Sequence, residues 1–291
     1  MVICSDLHSY RPTMASPMMI TPTLHVEVQF AGSTNVVAAT QANTRKEVSA
    51  WIQSNYATVQ IGKLQNYGDI ECSNRILSIA IADFTGPHEP TGYYSLEDTA
   101  LDVQSYVLRP ETDTGDSRSI NHDGNVDNTQ VRMMALPNVA SNEEWDSLVF
   151  DDGLPSRLLR YLVRIVGMMG KTGLNIATFN WNKICLLHGP PGSGKSTLCR
   201  ALAQKLSIRL SDIFPKATLV EVNANAMLSK YFGESGKIIE NTFEKVQQIA
   251  KERSKLVVVV IDEVETIAAS RQRASNSGEC NDGLRVSGLW K

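Results

Sequence analysis

The chain has 291 residues, with 28 Lys plus Arg against 31 Asp plus Glu and a formal net charge of -3, which leaves room for about two domains of ordinary size. Its 42% hydrophobic and 20% charged residues exclude a wholly disordered, collagen-like or coiled-coil chain, and the balanced charge gives no global reason to expect a nucleic-acid or anionic-membrane partner. The five cysteines (Cys4, Cys72, Cys185, Cys199, Cys280) form no CxxC pair, so no disulfide framework is expected and a reducing compartment is.

Residues 1–22 interrupt short apolar pieces with Asp6, His8, Arg11, Pro12, Pro17 and Pro22. They lack the continuous apolar core of a signal peptide and read as a disordered leader. The longest purely apolar run, Leu256–Ile261, falls far short of the roughly 20 residues that span a bilayer.

Residues 23–137 read as an α+β domain. Leu24, Val26, Val28 and Phe30 alternate with polar residues, the period of a half-buried strand, and Ile76–Phe84 continues the style. Thr44 and Glu47, three apart ahead of Val48, Trp51 and Ile52, predict a capping box that opens a short helix. Residues 110–130 are polar, with little apolar surface to order them, and predict a mobile loop. A short strand, Val131–Leu136, follows.

From Trp145 onward helix and strand alternate. Leu154–Val166 predicts a helix with Pro155 in its first turn. Ile184–His188 predicts a strand, Thr197–Leu206 a helix, Thr218–Asn223 a strand, Lys237–Arg253 a helix and Leu256–Ile261 a strand. Continuous Val/Ile runs between helices predict a parallel sheet covered on both faces, an α/β fold.

Gly189, Pro190, Pro191, Gly192, Ser193, Gly194, Lys195 and Ser196, followed by Thr197, match G-x-x-x-x-G-K-[ST] between a predicted strand and a predicted helix. Glycines let the backbone close around phosphate oxygens at the positive end of a helix. Lys195 is expected to reach the β- and γ-phosphates of ATP, and the Ser196 hydroxyl to ligate Mg²⁺. Asp262 and Glu263 end an apolar strand, at the edge where ligands collect in open α/β sheets. Asp262 is placed near the metal, and Glu263 to orient or deprotonate the attacking water. Between these motifs, Tyr231 and Phe232 sit among Ser229, Lys230, Gly233 and Glu234. They either grip a ligand or pack on a neighbouring helix. His188, beside the loop, reads as a packing or hydrogen-bonding residue, Cys185 and Cys199 as small core residues, and Arg271 and Arg273 as solvated or interface residues.

These motifs, in this order, resemble the first half of an AAA+ ATPase module of the classical AAA group, with the phosphate loop as Walker A and the Asp262/Glu263 strand as Walker B. More narrowly, WDSLVFDDGLPSRLLRYL, NWNKICLLHGPPGSGKSTLCRALAQKL, SKYFGES and PTLHVEV resemble the pachytene checkpoint protein 2 family, also called thyroid receptor-interacting protein 13. The resemblance implies a homo-hexameric motor that spends ATP to remodel HORMA-domain proteins delivered by an adaptor. It implies a role in the meiotic recombination checkpoint, on chromosomes, and in the spindle checkpoint, with a location in the nucleus or the cytoplasm and no direct nucleic-acid or membrane contact. It places Tyr231 and Phe232 on the pore loop that grips substrate, and makes Glu263 the catalytic carboxylate.

By the same resemblance, residues 145–286 are a partial AAA+ domain and residues 287–291 a tail foreign to the family. The family sheet runs 5-1-4-3-2, and its strands 4 and 5, sensor residue and arginine finger are expected to be missing here. The fourth strand would lie between the phosphate-loop strand and the Asp262/Glu263 strand. The expectation is therefore a truncated product with no appreciable ATP turnover, or a non-catalytic product that binds nucleotide or HORMA adaptors. A P-loop kinase or a clamp-loader relative is disfavoured by the SKYFGES segment and the substantial N-terminal domain.

Overall fold

A computed structural model describes residues 2–4, 21–32, 36–87, 89–110, 131–150, 153–171, 184–224, 235–252 and 254–264. The N-terminal sheet contains β2 (Thr23–Phe30), β4 (Gly62–Leu64), β5 (Ile76–Phe84) and β7 (Ala100–Tyr106), in the order β4-β5-β2-β7. Strand β2 runs antiparallel to β5 and parallel to β7. A separate two-stranded ribbon pairs β3 (Thr58–Gln60) with β6 (Tyr93–Ser95).

The alternation in β2 sends Leu24, Val26 and Val28 to one face, where they meet Ile79, Ile81 and Val103 and pack under Val48 and Ile52 of helix α1 (Ala38–Asn55). That helix begins before the predicted capping box. Its N-cap is Val37, which makes no side-chain cap bond, and Thr44 lies buried in its middle. Thr44, Val48 and Ile52 recur every four residues on the packed face, and the favourable helix formers Ala39, Gln41 and Ala42 extend the helix backwards.

The second sheet has the order β1-β10-β9-β8, built from β1 (Val2–Cys4), β8 (Val131–Leu136), β9 (Lys216–Asn223) and β10 (Lys255–Asp262). Strands β9 and β10 are parallel and in register from Lys216↔Lys255 to Asn223↔Asp262. One face of this sheet presents Met134, Leu136, Leu219, Leu256 and Val258 to helices α2 (Leu154–Lys171) and α3 (Lys195–Arg209). The other presents Met133, Val220, Val222, Val257 and Val259 to Phe243, Val246 and Ala250 of helix α4 (Ser235–Ala250). Coverage of both faces explains why β10 reads as a continuous apolar run.

Three expectations are corrected. Strand β8 pairs antiparallel with β9, so it belongs to the second sheet and not to the strands of the N-terminal domain. Its Met133 and Met134 fill the two opposite faces of that sheet, burial the polar-backed N-terminal sheet could not provide. Part of the expected leader is also a strand: Val2–Cys4 lies antiparallel along β10 from Val2↔Val259 to Cys4↔Val257. It covers the edge of a very apolar strand whose N–H and C=O groups would otherwise be left open. Finally, Ile184–His188 forms no strand of the sheet, and only Ile184 takes part in a bridge. The edge of β10 is occupied instead by β1. The predicted loop over 110–130 lies almost wholly outside the described residues, as does the predicted tail. Among the described residues, no helix is long and apolar enough to cross a membrane.

Candidate functional site

The phosphate-loop motif forms a turn over residues 189–194 that runs directly into α3. Gly192 and Gly194 take the left-handed conformation, with φ of 75° and 81°, which glycine adopts without the steric cost of a Cβ. Gly194 is the N-cap of α3 and supplies no side-chain bond to the helix. The first amides therefore face the turn without a side-chain cap, at the positive end of the helix dipole, an arrangement suited to an anion.

Lys195 folds back over this turn. Its ammonium donates to the carbonyls of Gly189 at 3.0 Å and Pro190 at 2.6 Å, and to Ser193 Oγ at 3.4 Å. Pro190, Pro191, Gly192 and Ser193 are exposed, while Lys195, Ser196 and Thr197 are half-buried in the first turn of α3. Below them Leu198, Cys199 and Leu202 anchor the helix in the core, so the loop is open to ligand while its base is fixed.

Parallel pairing of β10 with β9 delivers Asp262 to the same place. Ser196 Oγ donates to Asp262 Oδ2 at 2.9 Å across 66 residues of sequence, and the other Asp262 oxygen accepts from the backbone N–H of Glu263 at 3.1 Å. Glu263 has φ +56°, an uncommon conformation for a residue with a side chain, and it turns the chain at the end of the strand. Its carboxylate is exposed beside the loop.

A hydroxyl and a carboxylate held together are hard oxygen donors of the kind Mg²⁺ takes when it shares a site with phosphates. The uncapped amides and the Lys195 ammonium suit the phosphates themselves. The residues present thus fit a magnesium–nucleotide pair.

Of the other singled-out residues, His188 is exposed. Its segment forms no strand that would turn the ring inward. Cys199 is buried as expected, and burial pushes its thiol up from the ordinary value. Tyr231, Phe232, Arg271 and Arg273 lie outside the described residues.

Sequence reasoning missed the residues that fix α3 from the side. Arg200 donates to Glu144 at 2.6 Å and pairs with Glu221 of β9 at 3.5 Å. Gln204 and Asn138 exchange two hydrogen bonds, both 2.9 Å, between side chain and backbone. Leu148 approaches Gly194, where a Cβ would sit 3.5 Å from its side chain. These are ordinary polar and apolar residues with no local motif, and only the fold pairs them.

Residues 185–285 match the family described as ATPase family associated with various cellular activities (AAA), and residues 19–111 match the TRIP13 N-terminal domain. Among curated relatives, the chain is 33% identical over 269 residues to a pachytene checkpoint protein 2 homolog of Danio rerio, covering 92% of this chain and 60% of that one. It is 31% identical to the Mus musculus homolog, covering 97% and 62%, and 48% identical to the Arabidopsis thaliana homolog over a shorter stretch, 49% of this chain and 30% of that one. The chain thus spans about 60% of the length of the animal relatives it matches along most of its own length. The structure of C. elegans PCH-2 shares the fold, with a TM-score of 0.64 at 24% identity over 84% of this chain and 59% of that one. With these two domains in this order, the chain is similar along most of its length to pachytene checkpoint protein 2 homologs.

Proposed function

We propose that the loop 189–197 binds ATP with Mg²⁺ and that Asp262 and Glu263 form the hydrolytic edge of the site. The observation that carries this reading is the 2.9 Å hydrogen bond from Ser196 to Asp262, because it brings a loop hydroxyl and a strand-end carboxylate into one oxygen cluster. Lys195 exchanges its own loop carbonyls for the β- and γ-phosphates, and the uncapped amides of α3 bind phosphate oxygens. Ser196 and Asp262 hold the metal, which supplies neutralisation of phosphate charge. Glu263, one residue beyond Asp262, orients the attacking water and accepts its proton.

Similarity to the pachytene checkpoint protein 2 homologs supports a finer proposal. The full activity is ATP-driven remodelling of HORMA-domain proteins by a homo-hexamer in the nucleus, serving meiotic checkpoint control. In that proposal residues 23–110 hold the substrate or its adaptor, and Tyr231 and Phe232 grip the substrate chain.

The test is titration of the intact chain with a fluorescent ATP analogue and Mg²⁺, followed by a phosphate-release assay. Saturable binding lost in Lys195→Ala supports the site, and turnover lost in Glu263→Gln supports the hydrolytic edge. Absence of saturable binding overturns the reading. Binding without turnover would make the chain a nucleotide-holding module instead.

A further inference from the structure

Helix α3 is buried almost all round, including the polar residues Gln204, Ser207 and Arg209. One side packs on the second sheet. The other meets the N-terminal sheet on the face opposite its apolar core, where β2, β5 and β7 present His25, Glu27, Asp83, Asp102 and Gln104.

The contacts there are ionic and converge on two acids. Glu27, 4% exposed, accepts from Lys205 at 2.6 Å. Asp83, 3% exposed, accepts from Arg160 of α2 at 2.7 and 2.9 Å and from Arg209 at 3.3 Å, while Arg160 also donates to the Phe84 carbonyl. Just past the end of α3, Ser211 donates to Gln104 at 3.0 Å, and Asp212 accepts from Gln104 at 3.1 Å and from Arg45 of α1. Cationic helices thus dock on an acidic sheet face, and a buried pair that loses one partner leaves an uncompensated charge.

The same helix that opens with Lys195 therefore ends against the N-terminal sheet. Lys205 lies about 15 Å along it from the phosphate loop, at 1.5 Å per residue. A helix this fully packed moves as a rigid element.

We propose that α3 couples the phosphate loop to the N-terminal sheet through Lys205–Glu27 and the Asp83 hub, so that nucleotide on the loop stabilises the docked N-terminal domain. This rests on the nucleotide-binding reading above. By linkage, a ligand that binds the ordered loop favours whatever is ordered with it.

The test is hydrogen–deuterium exchange on the intact chain, with and without Mg²⁺ and a non-hydrolysable ATP analogue at about 100 times Kd. Amides of β2 and β5 that exchange through undocking are expected to slow by up to about 100-fold, together with those of the loop. In Asp83→Asn the loop is still protected but the slowing in β2 and β5 is lost. The paired replacement Glu27→Gln with Lys205→Met, which leaves no unpaired charge, gives the same separation should Asp83→Asn fail to fold. Loop protection without any change in β2 and β5 of the unsubstituted chain overturns the coupling and leaves nucleotide binding standing. So does equal slowing in the variants. No protection of the loop itself overturns the nucleotide reading, and the coupling with it.

Discussion

Arg160 grips Asp83 through two hydrogen bonds of 2.7 and 2.9 Å, tying helix α2 to a strand of the N-terminal sheet 77 residues away in sequence. Burial alone would raise the Asp83 carboxyl. The hydrogen bonds from Arg160 and the positive charges of Arg209 and Arg160 outweigh it and hold the carboxyl below its ordinary value. Asp102, beside His25 and Gln104, is lowered in the same way against its own burial. Because both folded values lie below the unfolded value of about 4, their contribution is fully present above pH 4 and is lost as pH falls through the folded values. Urea midpoints measured against pH should therefore fall below about pH 4. Asp83→Asn should flatten that fall and cost about 3–5 kcal/mol at neutral pH, since it strands two arginines. A pH profile unchanged by the substitution would remove Asp83 from this role.

At the other end of α3, Ser196 and Asp262 give a prediction on ligand affinity. Asp262→Asn keeps the size of the side chain but removes the charge that faces the loop, and Lys195→Ala removes the ammonium. A charged hydrogen bond contributes about 1.5–3 kcal/mol, so each change should weaken magnesium–nucleotide binding by roughly 10- to 150-fold. Repeating the titration without Mg²⁺ should erase most of the Asp262→Asn effect and little of the Lys195→Ala effect. Equal losses with and without metal would place Asp262 elsewhere than at the metal.

The core offers a contrast between two leucines in neighbouring segments. Leu202 is fully buried between α3 and the second sheet, whereas Leu186 is 73% exposed on the segment before the phosphate loop. Leu202→Ala should destabilise the chain by about 2–5 kcal/mol through lost transfer energy and a cavity. Leu186→Ala should stay within about 0.5 kcal/mol. Guanidinium unfolding of both variants checks this, and a large effect at Leu186 would mean that its segment is paired in solution.

Much of this architecture was legible because short-range patterns encode it. The six apolar residues Leu256–Ile261 could only be a strand covered on both faces, and the glycines of the phosphate loop could only be a turn ahead of a helix. The N-terminal sheet was half legible. The alternation in β2 identified Leu24, Val26 and Val28 as core, yet a half-buried strand leaves the face that carries Glu27 to solvent. Glu27 is buried because Lys205, 178 residues later, covers it, and no local period records such a partner. The edge of β10 was illegible for a related reason. A three-residue strand such as Val2–Cys4 has no recognisable period, so its pairing with Val257–Val259 emerges only in three dimensions. The same holds for α1, where burial of Thr44 overrode its preference for a cap.

Cys72 provides a prediction on reactivity. Burial, reinforced by a hydrogen bond and the negative charge of Glu47, pushes its thiol up to about 11. At pH 7 about one molecule in 10⁴ then carries the thiolate, against roughly one in 30 for a free cysteine of pKa 8.5. Since only the thiolate is nucleophilic, alkylation of Cys72 in the folded chain should run more than 100-fold slower than in the urea-unfolded chain at the same pH. Raising the pH should speed it tenfold per unit well past pH 9, where an ordinary cysteine has levelled off. Glu47→Gln should bring the midpoint down while leaving the contribution of burial in place. Mass spectrometry of the alkylated peptide resolves this residue from the other four cysteines. Labelling of Cys72 at the unfolded rate would show that neither burial nor Glu47 holds its thiol protonated in the folded chain.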